Sequence, residues 1–301
     1  ASKGLAAGEA EIGSEEAGYN RGINPGERIF YYDGSKNWWS RNGNEDSTPV
    51  GDPCGPDSEM FYDFGTPHDK SFGKFCHPNC DCGRFMEIGN NVFMAYKKVG
   101  EGQFEELEQK NVDHGSGLER IAAAKLGDPD VFKISLMWPV ITKLEQLSGK
   151  DYDSNTASMR VIADHLRAAT FLAVDGCVPS NKEQGYVMRR LLRRAIRFSF
   201  DLGIEQNFIE QVIAVVADLY AQDYPEIANK RGDIIATIAK EERAFRQTLR
   251  KGLKQMEKYA QYGLTGDELF TLYDTYGFPV ELSTEEAFKR DIKLSDNWRQ
   301  E

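Results

Sequence analysis

Asn111-Val112-Asp113-His114-Gly115-Ser116-Gly117-Leu118-Glu119-Arg120-Ile121 is the stretch that decides how the chain is read. An extended run ends in two alternate glycines and turns straight into a helix bearing an arginine. Glycines let a backbone approach a flat ligand such as an adenine ring without a Cβ clash. A helix start offers unpaired N–H groups and positive potential to phosphate. Arg120 adds a planar, charge-assisted grip on a phosphate oxygen, and Asp113 at the strand tip can pair with an ammonium group. By itself a Gly-x-Gly corner fits a plain strand–turn–helix junction with a surface arginine better than a binding site. The weight therefore falls on what surrounds it.

Upstream, residues 22–100 are rich in Gly, Pro, Asn and aromatics. Short β-like runs stand out at Arg28–Tyr32, Glu59–Tyr62, Phe85–Ile88 and Asn91–Tyr96, separated by turn clusters that favour antiparallel pairing. Before them, Ala1–Gly18 is small and acidic with weak periodicity and predicts a frayed or incomplete element. Downstream the texture changes. Leu118–Leu126 predicts a helix, and from Val131 nearly everything is helical. Val161–Val174, Tyr186–Leu202, Asn207–Ala221 and Arg231–Tyr262 carry apolar residues at three- and four-residue spacing, with Gly and Pro at the joins. Sheet first and helices second is an α+β arrangement: an antiparallel sheet domain over 1–128, then an all-helical domain over 129–301.

The 301 residues are 40% hydrophobic, enough for two medium domains to bury cores without staples. No apolar run approaches the roughly 20 residues that cross a bilayer, and no basic, apolar leader opens the chain. The expected location is cytoplasmic, without a membrane partner. Five cysteines, three of them in one short loop, suit a reducing compartment better than a disulfide framework. A net charge of -11 and a pI near 5.1 argue against nonspecific coating of nucleic acid. A local basic face can still hold one RNA.

The 111–121 segment resembles motif 3 of the class II aminoacyl-tRNA synthetases, and its wording resembles the alanine-specific branch. Other blocks resemble that family in the same order: Asn37-Trp38-Trp39, Gly51-Asp52-Pro53-Cys54-Gly55-Pro56-Asp57-Ser58-Glu59, Glu87-Ile88-Gly89-Asn90-Asn91-Val92-Phe93, Arg160–Arg167, Val178–Asn181 with Gly185–Arg190, and Leu272–Pro279. The likeness covers roughly residues 20–290. It implies a ligase that activates alanine with ATP and transfers it to the 3′ end of tRNA-Ala. By the same carry-over Trp39 walls the amino-acid pocket, Asn90 contacts alanine, Asp113 holds its ammonium, and Gly115 lies against both alanine and the nucleotide. Glu87, Gly117 and Arg120 join Gly115 in binding ATP, with Arg120 on the terminal phosphates and magnesium beside them. Arg120 and Asp113 carry the catalytic roles, which are positioning and electrostatics. The chain departs from the family pattern at Asp57, Gly89, Asn91 and His114, where Cys, Trp, an aliphatic and Thr are usual. No counterpart of motifs 1 and 2 is found, so the reading is of a partial chain, inactive in adenylation alone and without the editing domain.

Tyr186–Phe198 reads as an amphipathic helix. Val187, Met188, Leu191, Leu192, Ala195 and Ile196 form an apolar stripe, and Arg189, Arg190, Arg193, Arg194 and Arg197 cover the opposite face. Such a face is either a phosphate track or a solvated face paired with local acids; the resemblance implies the first, on the tRNA acceptor stem. It also implies that Asn181 and Asp274 read a G·U pair, since amide and carboxylate suit its exposed donors. Read locally, Asn181 caps the next helix and Asp274 sits in a turn.

Cys76-His77-Pro78-Asn79-Cys80-Asp81-Cys82 brings three thiols together with His77 beside them and His68 upstream. These can close a tetrahedral zinc site from Cys76, Cys80, Cys82 and His77, or leave a loop of free thiols. The family's better-known zinc site needs a His-x-x-x-His pattern, which this chain's histidines do not form. Two other functions fit the same residues: a noncatalytic tRNA-binding module that kept the fold, and an adenylate-forming ligase with no RNA partner.

Overall fold

The computed structural model describes residues 6–299. The first five residues of the acidic opening stretch and the last two of the closing segment lie outside the described residues. Two compact units are present, 1–134 and 135–301. The 3₁₀ turn Val131–Lys133 packs on the preceding helix and so falls in the first unit.

The first unit opens with β1 (Gly8–Gly13), α1 (Glu15–Arg21) and β2 (Glu27–Tyr32), the two strands pairing in parallel. From Gly8 onward the opening stretch is thus regular secondary structure, contrary to its reading as a frayed or incomplete element. Ser14 caps α1 by accepting from the Ala17 N–H at 3.2 Å, with Glu15 and Glu16 in the first turn. Along β1, Glu9 and Glu11 are exposed while Ala10 and Ile12 are buried, an alternation too short to stand out from the sequence.

The second sheet runs β3 (Trp38–Trp39), β4 (Pro53–Asp63), β5 (Phe85–Gly100) and β6 (Gln103–Ser116), in that spatial order and antiparallel throughout. The runs at 85–88 and 91–96 are one sixteen-residue strand. A register irregularity between Met60 and Phe61 takes up the break that the Gly89-Asn90-Asn91 sequence suggests. From β6 the chain passes through extended Gly117 into α2 (Leu118–Leu126).

The second unit is helical: α3 (Trp138–Ser148), α4 (Thr156–Val174), α5 (Glu183–Asp201), α6 (Ile209–Tyr220), α7 (Pro225–Asn229), α8 (Arg231–Tyr259), α9 (Gly266–Tyr276) and α10 (Val280–Lys289). Its core is built where α4, α5, α6 and α8 meet. Met159, Ile162, Leu166, Met188, Leu192, Ile196 and Leu249 are fully buried there. Gly252 lets α8 lie against Phe278, since a Cβ would stand 2.7 Å from that ring. A capping box between Thr265 and Glu268 starts α9. No described helix is long and apolar enough to cross a membrane.

Candidate active site

Strand pairing sorts the site residues by face, because directly opposed residues share one side of an antiparallel ladder. Asn90 lies opposite both Glu59 and Gly115, and Val92 lies opposite Asp57 and Asp113. With the period of two along each strand, Asp57, Glu59, Asn90, Asp113 and Gly115 occupy one face. Asn91, Ser58 and His114 take the other, where Asn91 bonds His114 at 2.9 Å. Trp38 and Trp39 point opposite ways from β3. Trp38 stacks on Tyr96 at 6.0 Å, while Trp39, opposite Gly55, is half-buried.

The polar atoms on the site face are not saturated. Asn90 donates from Nδ2 to Asp57 Oδ2 at 2.9 Å. The other Asp57 oxygen and the Asn90 carbonyl oxygen are both buried without a hydrogen-bond partner. Two buried acceptors in such a position call for a donor or a cation, since each costs free energy while unpaired. A Cβ built on Gly115 meets nothing within 4 Å, so that part of the face is open. Asp113 is exposed beside it, its Oδ1 accepting only the adjacent His114 N–H at 2.9 Å.

Arg120 closes the other end. From the first turn of α2 its Nη1 donates to the Glu87 carboxylate at 2.7 Å and to the Glu87 carbonyl at 3.1 Å. The aliphatic stem lies over Gly117, whose Cβ would come 3.0 Å from Arg120 Cδ. Gly117 caps α2 without a side-chain bond, leaving first-turn N–H groups available to an anion.

Asp57 and Glu59 are the functional candidates that motif reading missed; their pairing with Val92 and Asn90 of β5 places them on this face. Burial pushes the Asp57 carboxyl above its usual range. Burial, then the Glu87 and Asp57 carboxylates, pushes Glu59 up to about 7. In the unfolded chain Glu59 ionises near 4.5. Between about 4.5 and about 7 the folded state therefore binds more protons than the unfolded one. The sheet unit should lose stability as pH rises through that window and lose no more from this group above it. Urea denaturation across that range checks this, and Glu59→Gln should flatten the slope.

The helical candidates are placed differently from their sequence reading. Asn181 does not cap α5, which starts without a side-chain cap; its Oδ1 accepts from Arg189. Asp274 is an exposed residue within α9, not a turn residue. The arginine face of α5 is a packing face. Arg193 bonds Glu241 at 2.8 Å and the Gly277 carbonyl. Arg194 bonds Glu285 twice at 2.8 Å and His165 at 3.0 Å. Arg197, only 5% exposed, grips Glu286 at 2.7 and 2.8 Å and Asp201 at 2.8 Å. Arg189 reaches Glu241 at 3.4 Å and Arg190 reaches Glu281 at 3.1 Å. Acids on α8 and α10, distant in sequence, thus neutralise a face that reads as an open phosphate track. Arg197 is buried, Arg193 is half-buried and engaged by Glu241, and Val187 of the apolar stripe is exposed.

His77 does not join the thiols. It is fully buried, its Nδ1 sharing a 2.7 Å hydrogen bond with the Tyr32 hydroxyl. Its ring packs 4.5 Å from Tyr19 and against Gly18, where a Cβ would stand 2.7 Å from it. The imidazole that faces the thiols is His68.

The family described as tRNA synthetases class II (A) matches residues 10–299 of this chain. The chain belongs to that family. An alanine–tRNA ligase of Borrelia hermsii (strain HS1 / DAH) is 40% identical over 274 residues, covering 87% of this chain and 44% of that protein. One of Treponema pallidum (strain Nichols) is 39% identical over 280 residues, 88% of this chain and 44% of its own length. One of Natranaerobius thermophilus is 37% identical over 288 residues, 92% of this chain and 32% of its own length. The class II (A) synthetase chain therefore spans 32–44% of the length of these relatives. Within it, the strand-paired face and the corner after β6 are the two features that can jointly hold a small amine-bearing molecule and a nucleotide.

Proposed function

We propose that this chain is the alanine- and nucleotide-binding sheet and the tRNA-recognition helices of an alanine–tRNA ligase. One observation carries the reading: two unpartnered buried acceptors, on Asp57 and Asn90, share a sheet face with the open space at Gly115 and the carboxylate of Asp113. That face suits an ammonium group with a small side chain, because carboxylates pair with the charge and the amide fixes its direction. Trp39 is the candidate wall. Gly115, Gly117, Glu87 and Arg120 at the start of α2 suit the nucleotide, with Arg120 exchanging its Glu87 partner for phosphate.

In the reaction, the alanine carboxylate attacks the α-phosphorus of ATP and pyrophosphate leaves with the cleaved P–O electrons. A 3′-terminal hydroxyl of tRNA-Ala then attacks the acyl carbon and AMP leaves. The protein's share is orientation on the sheet face and stabilisation of phosphate charge at the α2 corner. Magnesium, when bound to the phosphates, offsets their negative charge. A zinc ion at the thiol cluster would stand outside this chemistry. A cytoplasmic location accords with the reaction.

For the acceptor stem, exposed Asn181 and Asp274 remain the candidate base contacts, with Arg189 and Arg190 the candidate phosphate contacts. Arg193, Arg194 and Arg197 are assigned instead to holding α5 against α8 and α10. Alanine-dependent exchange of pyrophosphate into ATP, assayed on the full polypeptide carrying this chain, tests the ligase reading. Its absence alongside specific tRNA-Ala binding would favour a noncatalytic tRNA-binding module.

A further inference from the structure

Between β4 and β5 the chain leaves the sheet for residues 64–84 and makes no strand or helix of its own. A long unstructured excursion inside a compact unit needs something to hold it. Three thiols and one imidazole converge there: the ligand atoms of His68, Cys76, Cys80 and Cys82 all lie within 4.8 Å of one another. Cys76 Sγ is 3.6 Å from Cys82 Sγ, and Cys80 Sγ is 3.8 Å from His68 Nδ1. In a tetrahedral zinc centre, bond lengths of about 2.3 Å to sulfur and about 2.0 Å to nitrogen put donors about 3.5–3.8 Å apart. The shortest separations already match those edges.

The imidazole is also correctly poised. His68 Nε2 lies 2.9 Å from the Gly73 carbonyl oxygen. A carbonyl can only accept, so Nε2 carries the proton and Nδ1 presents its lone pair to the cluster. This is the arrangement that fixes the tautomer and ring direction of a metal-bound histidine. Cys76 and Cys80 are buried and Cys82 is half-buried, so the site is enclosed and leaves no open position for a substrate. Cys54 takes no part: it is buried on β4.

We infer that His68, Cys76, Cys80 and Cys82 bind one structural zinc ion, which pins the 64–84 excursion onto the β1–α1–β2 layer. The excursion reaches that layer through bonds and close packing. The Phe75 N–H donates to the Tyr19 carbonyl at 3.0 Å, and His77 is wedged between Tyr19, Tyr32 and Gly18. The metal folds the loop from residues 68 to 82 and thereby presents Phe75 and His77 to α1 and β2. Three thiolates on one zinc leave a site of net charge -1, and a softer donor set than carboxylate selects zinc over magnesium or calcium. None of this depends on the ligase reading.

The test is metal analysis of the full polypeptide, purified reduced after expression with added zinc, without an affinity tag that binds metal. One zinc per chain is expected, released by a mercurial thiol reagent and not by brief EDTA treatment. His68→Ala and Cys80→Ser should each lower the zinc content at least tenfold at limiting metal, whereas His77→Ala should retain it. Cobalt substitution should give the intense visible bands of a tetrahedral thiolate site, lost in Cys80→Ser. Zinc removal should speed amide exchange in 68–82 and in α1, while β5 and β6 stay protected. Substoichiometric zinc in the folded protein, or zinc retained by His68→Ala and lost by His77→Ala, overturns the assignment. A Cys76–Cys82 disulfide in the protein isolated under reducing conditions overturns it too.

Discussion

Glu286→Ala should lower the unfolding free energy of the helical unit by about 3–5 kcal/mol, the range for stripping one partner from a buried ion pair. Glu286 is 3% exposed and receives both Nε and Nη2 of Arg197, which is itself buried. Arg290 bonds the same carboxylate. Truncating Glu286 leaves the buried Arg197 guanidinium with Asp201 as its remaining carboxylate partner. The Arg197 pair holds the Glu286 carboxyl below its usual range against the opposing effect of burial. The sign follows: stability from this group is present above the unfolded carboxylate range and is lost as pH falls through the depressed folded value. Urea denaturation followed by helical circular dichroism measures the loss. The double substitution Arg197→Met with Glu286→Leu should restore most of it, because replacing a buried pair by apolar groups removes the desolvation cost on both sides. If Glu286→Ala costs less than about 1 kcal/mol, which is what an exposed pair costs, the α5–α10 interface is not held this way.

Arg120→Ala should cut alanine-dependent pyrophosphate exchange by about 10²–10³-fold, the range for removing one preorganised group facing transition-state charge. Its contribution to stability points the other way in size. Arg120 and Glu87 have side chains 49% and 32% exposed, so their pairing in solvent contributes under about 1 kcal/mol. The urea midpoint should therefore hardly move while the exchange rate collapses, a separation that a purely structural arginine would not produce. Arg120→Lys should recover only part of the rate, because an ammonium cannot reproduce the planar two-point contact of a guanidinium. Lys110→Ala, which removes an exposed partner of Glu106 on the same strand, serves as a control and should leave exchange unchanged. Full activity in Arg120→Ala would remove the α2 corner from the nucleotide site.

The helical half was legible because its information is local. Leu118–Leu126 coincides with α2; Val161–Val174 lies within α4, and the other long periodic runs overrun the ends of α5, α6 and α8 by one to three residues. Asp113, Gly115 and Arg120 were legible as a motif, since they sit within one strand–turn–helix corner, whereas Asn90, on β5, was named only through the family resemblance. Asp57 and Glu59 were not, because their role depends on pairing with a strand some thirty residues further along. The parallel β1–β2 pair was also hidden: each strand is short, and its partner lies across α1.

The amino-acid order alone determined the α+β sequence of elements, the family likeness and the corner at Gly115–Arg120, all of which rest on neighbours within a few residues. Only the tertiary structure decided which groups meet. It sent His77 into a packed pocket beside Tyr32 and turned His68 toward the thiols. It also covered the arginine face of α5 with Glu241, Glu285 and Glu286, acids roughly 50–90 residues downstream. Periodicity reports which side of a helix is charged. What neutralises that charge is a contact between distant segments, and burial, not composition, determines whether an arginine can reach a phosphate.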